Sequence, residues 1–87
     1  MELGQVVYSK AGRDNERYYA VVEIVDEEFV RIADGDVRKL KTAKLKRSKH
    51  LKPNGDKLEK IGEKLLKGVQ VFDAELRSAL RPYNDKN

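Results

Sequence analysis

The sequence predicts a small fold that is mainly β with some α: an antiparallel β-barrel followed by a C-terminal helical segment of two short helices. Three observations carry this. Short runs rich in Val, Ile and Tyr recur through the first half, separated by turn-forming residues. These runs lie too close together for crossover helices, so they must pair antiparallel as a meander. After residue 53 the apolar spacing changes from the two-residue period of strands to that of a helix.

The elements follow in order. QVVYS (residues 5–9) is short, β-branched and aromatic, and it follows Gly4. SKAGRDNER (9–17) holds Gly12, Asp14 and Asn15 and reads as a loop. YYAVVEIV (18–25) is the strongest strand. Asp26-Glu27-Glu28 makes a polar turn into FVRIA (29–33), with Val30 and Ile32 on one face and Arg31 on the other. Asp34-Gly35-Asp36 is the next turn. A meander this short must curl to cover its apolar face and hide its edges, so a small barrel is the expected outcome.

Residues 37–53, VRKLKTAKLKRSKHLKP, hold eight basic and no acidic side chains. Val37, Leu40, Leu45 and Leu51 are spaced through this belt, which places it against the barrel as the last strands, lysines outward. Pro53-Asn54-Gly55 then reads as a breaker. Asp56-Lys57-Leu58-Glu59 has capping-box form, and Leu58, Ile61, Leu65 and Leu66 follow at helical spacing. Lys67-Gly68 resembles a helix end. Asp73 can cap a second helix, AELRSAL, that stops before Pro82; one helix softly broken at Gly68 is the alternative. The expected organisation is a barrel with its belt over 1–53, a helical appendage over 54–82 and a loose tail over 83–87.

A chain of 87 residues is one small domain. It holds no cysteine, which excludes disulfides and cysteine-based zinc sites. No apolar run is long enough for a membrane span and the start lacks a signal-peptide plan, so a cytoplasmic, monomeric protein is expected. The net charge of +4 conceals segregation: −5 over residues 1–36, +8 over 37–55 and +1 over 56–87. Such separation makes a local field suited to a polyanion.

Catalysis finds little support. The single His50 sits inside the basic run with no carboxylate near in sequence to orient it, and a surface or packing role is the simpler reading. Asp34-Gly35-Asp36 lacks the further ligands of a calcium loop. No phosphate-cradling Gly-rich loop precedes a helix. No enzyme activity, metal or other cofactor is expected. Of the adjacent Tyr18 and Tyr19, one should face the core and one the solvent. The outward ring, near Arg13 and Arg17, could stack on a base, or both could be ordinary packing. Phe29 poses the same choice.

LGQVVYSKAGRDNERYYAVVEIVDEEFVRIADGDVRKL, residues 3–40, resembles the KOW motif and its surrounding SH3-like barrel. The likeness is to the KOW-type RNA-binding proteins of bacteria and to large-subunit ribosomal protein fourteen of archaea and eukaryotes. Gly4 with Val6 and Val7, the Lys10-Ala11-Gly12 turn, the VVEIVD strand and the basic segments RKL and KRSKHL carry it. This chain has Asn15-Glu16-Arg17 where many members place a second glycine and a cation. The resemblance implies an RNA-binding module of ribosomal or ribosome-associated character, a ribonucleoprotein component serving translation. It implicates Lys10, Gly12, Arg13 and Arg17 in the loop. Arg38, Lys39, Lys41, Lys44, Lys46, Arg47, Lys49 and Lys52 of the belt are the further phosphate contacts expected, with Tyr18 or Tyr19 stacking. The expected partner is RNA, ribosomal RNA foremost, with ribosomal proteins as neighbours. The alternative is a protein-interaction adaptor using the barrel or the apolar face of the helices.

Overall fold

Alternation along the strands decides the architecture. In a computed structural model that describes residues 1–10 and 17–85, β1 (Gln5–Ser9), β2 (Tyr18–Ile24), β3 (Phe29–Ala33), β4 (Lys44–Arg47) and β5 (Leu51–Lys57) form one antiparallel sheet. The strand order is β4-β3-β2-β1-β5. Two helices follow, α1 (Glu59–Lys67) and α2 (Asp73–Asn84). Val7, Tyr19, Val21, Val30, Ile32 and Leu51 form one core on one face of the sheet. Val6, Ala20 and Ala33 form a second core with Ile61, Leu76 and Leu80 from the helices. Because side chains alternate, the adjacent pair Val6 and Val7 feeds both cores.

The first core contains no helical residue, yet its members are 0–3% exposed. A curled sheet covers its own face in that way. Connectivity demands the same. The edges of a flat five-stranded sheet stand about 19 Å apart at a strand spacing near 4.8 Å. Arg47 ends one edge strand and Leu51 begins the other, joined only by a 3₁₀ turn at Ser48–His50. Four residues of chain reach at most about 14 Å. Among the described residues no ladder joins β4 to β5, so the sheet curls without closing by hydrogen bonds.

Several expectations are corrected here. Pro53-Asn54-Gly55 does not end the sheet but lies within β5. Gln5 pairs Lys57 and Val7 pairs Pro53, so residues 54–56 bulge outward, with Gly55 at φ 92°. An edge strand tolerates proline because the missing N–H faces away from the ladder. With Asp56 and Lys57 held in β5, the expected capping box cannot form; α1 starts at Glu59 after Leu58, whose side chain makes no cap. Its end agrees with expectation, Gly68 adopting φ 73° after Lys67. Asp73 is the first residue of α2 rather than its cap, and its carboxylate instead accepts the Leu40 N–H at 2.7 Å. The α2 start is held by Glu75, which accepts the Phe72 N–H at 3.0 Å and the Lys64 ammonium at 2.8 Å. Lys64 first, then that N–H, keeps the Glu75 pKa below the ordinary value.

α2 also passes through Pro82 instead of stopping before it. Proline removes one helical hydrogen bond, here on the side of the exposed Ser78 carbonyl. Beyond it, Tyr83 and Asn84 are anchored. The Asn84 side chain accepts the Tyr18 N–H at 2.9 Å and donates to the Tyr18 carbonyl at 3.1 Å. It continues the β2 ladder where β3 has left the sheet. The helices therefore pack on the sheet, and Tyr83 and Asn84 depart from the loose tail expected over 83–87. Burying Ile61, Leu76 and Leu80 contributes roughly 5–9 kcal/mol at 1.5–3 kcal/mol each, comparable to the whole stability expected of a small domain.

α1 and the N-terminal turn meet backbone to backbone. Gly4, at φ 84°, accepts the Leu58 N–H at 2.7 Å. A Cβ on Gly62 would lie 2.6 Å from the Leu3 carbonyl oxygen. Alanine is intrinsically the better helix former by about 1 kcal/mol, but the clash with a main-chain oxygen outweighs that gain. Gly62→Ala should lower stability by about 1–3 kcal/mol, a fall of roughly 5–15 °C in thermal melts. A rise in Tm would show that the close approach is dispensable.

Candidate nucleic-acid interface

The belt does not form one patch. Its strands are the two opposite edges of the sheet, with Lys44, Lys46 and Arg47 on β4 and Lys52 on β5. Lys49 sits on the 3₁₀ turn between them, while Lys39 precedes and Lys41 lies within a second 3₁₀ turn, Leu40–Thr42, beside the start of α2. Of the four apolar anchors expected in the belt, Leu51 is buried in the first core and Leu40 is half-buried against the second. Val37 and Leu45 are exposed, at 61% and 44%. The register explains Leu45. Lys44 pairs Ile32 and Lys46 pairs Val30, which sets these lysines, half-buried, on the concave face and turns Leu45 out beside Arg31. Both lysines thus depart from the outward orientation expected of the belt.

The arginines are engaged within the fold. Arg17 bonds Asp34 through Nε at 2.5 Å and Asp36 through Nη2 at 3.1 Å. Burial opposes its charge, but the bond to Asp34 and the charges of Asp34 and Asp36 prevail and raise its pKa further. A guanidinium facing two carboxylates offers no net positive charge, so Arg17 departs from its expected role as a phosphate contact. Asp34, 1% exposed, also accepts the N–H groups of Asp36 at 3.0 Å and Arg38 at 2.8 Å. The DGD segment is a turn organised by that carboxylate. Arg31 pairs with Glu23 at 3.3 Å. Arg47 pairs with Glu28 at 3.1 Å and lies over the Phe29 ring, 4.9 Å from its centroid, which occupies that ring. Arg38 is half-buried at the turn.

The lysines differ. Lys10, Lys39, Lys41, Lys49 and Lys52 are exposed, and among the described residues none is drawn into an ion pair. Gly12 and Arg13 lie outside the described residues, as does most of the loop expected to carry the KOW contact. Its two flanks are fixed: Ser9 N–H donates to the Arg17 carbonyl at 3.2 Å, and Lys10 N–H to the His50 carbonyl at 3.2 Å.

Tyr19 is fully buried in the first core and cannot stack on a ligand. Tyr18 faces the other side, where it joins a row that the sequence reading missed. Tyr8 pairs Tyr18 across β1–β2 and Lys52 across β1–β5. The Tyr8 and Tyr18 ring centroids lie 5.0 Å apart at 59°, and Tyr83 of α2 follows at 5.6 Å from Tyr18. The Tyr83 hydroxyl donates to Asp56 in the β5 bulge at 2.6 Å; that bond, then burial and the carboxylate's charge, push its pKa above the ordinary tyrosine value. A groove of about 520 Å³ opens beside the row, lined by Tyr8, Lys10, Tyr18, Lys52, Pro53 and Asn54. Tyr8 was legible only through the β1–β2 register.

Among the described residues no group of three or more His, Asp or Glu side chains is placed to hold a metal, and no helix is long and apolar enough to cross a membrane. Comparison with protein-family models and with curated proteins finds no match.

The Arg17–Asp34 pair can be tested as a structural element. Arg17→Leu leaves a buried carboxylate without its cation and should cost about 2–4 kcal/mol. Lys39→Leu, at an exposed site, should stay within about 0.5 kcal/mol. Urea denaturation of both variants checks this; equal effects would refute the structural assignment of Arg17.

Proposed function

We propose that this protein is an RNA-binding module whose exposed lysines grip the phosphates of a structured RNA, in a ribosomal or ribosome-associated setting. The observation that carries the reading is the division of labour among the cations. Arg17, Arg31 and Arg47 are balanced by acids of the fold, whereas Lys10, Lys39, Lys41, Lys49 and Lys52 are exposed and outside any ion pair among the described residues. Surplus positive charge on an otherwise balanced surface suits a polyanion. The role is binding rather than catalysis. A curled five-stranded meander whose last strand returns to β1 is the arrangement an SH3-like barrel of the KOW type would have, and supports that kinship. Phosphate contacts position a protein without reading sequence, so selectivity comes from RNA shape.

A protein-interaction role has one observation in its favour. Leu66, Val69 and Phe72, at the junction of the helices, are 76%, 51% and 59% exposed. Ile61, Leu76 and Leu80 of the helices instead cover the sheet.

Fluorescence anisotropy with a labelled, structured RNA at several salt concentrations separates the two. Engagement of about five phosphates gives a slope of log K against log salt of roughly −3 to −5. Combining Lys39→Glu, Lys41→Glu and Lys49→Glu should weaken binding more than about tenfold with an unchanged circular dichroism spectrum. A flat salt dependence, or amide shifts on RNA addition confined to residues 66–72, would sink the phosphate mechanism in favour of the adaptor.

A further inference from the structure

We infer that the Tyr8–Tyr18 groove is a subsite for one unpaired nucleobase, so that the RNA bound is a helix interrupted by an unstacked nucleotide rather than a continuous duplex. The inference rests on the RNA-binding reading and adds to it the kind of RNA feature recognised.

The groove combines two features that backbone contacts alone do not need. Its floor is aromatic: Tyr8 and Tyr18 are half-buried and tilted against one another at 5.0 Å, and Tyr83 follows beside Tyr18. Two lysines line the same groove. Lys10 follows Tyr8 by two residues, and Lys52 is its cross-strand partner on β5. The row is rigid as well. Asn84 holds both main-chain groups of Tyr18, and Tyr83 is tied to Asp56, so little ordering remains when a ligand arrives.

An aromatic platform lined by two lysines matches a nucleotide, whose base offers a π-face and whose flanking phosphates offer charge. A base inside a continuous A-form helix has both faces covered by its neighbours and cannot reach such a platform; a bulged or looped base can. An apolar peptide would leave Lys10 and Lys52 without a partner, and an acidic peptide would leave the rings unused.

The test uses the full chain with two probes: a fully paired RNA duplex, and the same duplex carrying a one-nucleotide bulge of 2-aminopurine. The bulged RNA should bind about tenfold more tightly, with a change in 2-aminopurine emission as the base stacks. Tyr8→Leu, which keeps an apolar side chain, should abolish both the preference and the emission change, bringing bulged and fully paired RNA to the same affinity. Lys52→Glu, on an exposed edge position, should reduce affinity for the bulged RNA more than for the duplex. If the duplex binds and the bulge gives no preference, or Tyr8→Leu preserves it, the subsite is overturned while the RNA-binding reading stands. If neither RNA binds, both fall together.

Discussion

The buried carboxylate of Asp34 is the point on which the rest of the structure depends. It ends β3, accepts Arg17 from the start of β2, and takes two main-chain N–H groups of the turn that follows. That turn is pressed onto α2. Gly35, at φ 78°, passes so close that a Cβ would overlap the Asp73 carbonyl oxygen, and its own carbonyl accepts Arg77 at 3.1 Å. Asp73 then receives the Leu40 N–H. Sheet, basic segment and second helix thus meet at three consecutive residues, Asp34 to Asp36. The low-dielectric setting strengthens each bond there and makes leaving any one unmade costly.

From this junction the division between arginine and lysine follows. Guanidinium groups suit fixed, planar, multiply bonded positions, and here they are spent on Asp34, Asp36, Glu23 and Glu28. Ammonium groups on flexible stems are left at the turns and edges. Composition records eight cations in one belt; the fold sorts them by what else they touch. The charge segregation of the sequence therefore survives into three dimensions in altered form, carried by lysines dispersed over two sheet edges and two 3₁₀ turns.

The strands β1 and β3 were legible to the residue, and β2 within one, because β-branched runs between turn formers leave few alternatives. The Lys67-Gly68 helix end was equally clear. What sequence could not show was set by long-range geometry. Asn84 reaches Tyr18 across 66 positions, and Asp73 reaches Leu40 across 33. Local rules therefore read Asp73 as a cap and Pro82 as a stop. Pro53-Asn54-Gly55 has the chemistry of a turn, and only its place on an edge strand makes it a bulge. The face of Leu45 depended on a register that no local pattern fixed. The candidate site was half visible. The lysines could be named, but Tyr8 became part of it only when pairing set it between Tyr18 and Lys52.

A sheet that curls without closing keeps two edges, β4 and β5, each laddered on one side only among the described residues. The features at those edges act as guards. β4 has only four residues, three of them Lys or Arg, and β5 carries Pro53 and an outward bulge. Each is a device that discourages edge-to-edge pairing between molecules. The belt cations on these strands then serve two ends at once, and their neutralisation carries a hazard distinct from lost ligand contact. A bare, uncharged edge would become a template for self-association, most readily where the chain is concentrated and the polyanion is absent.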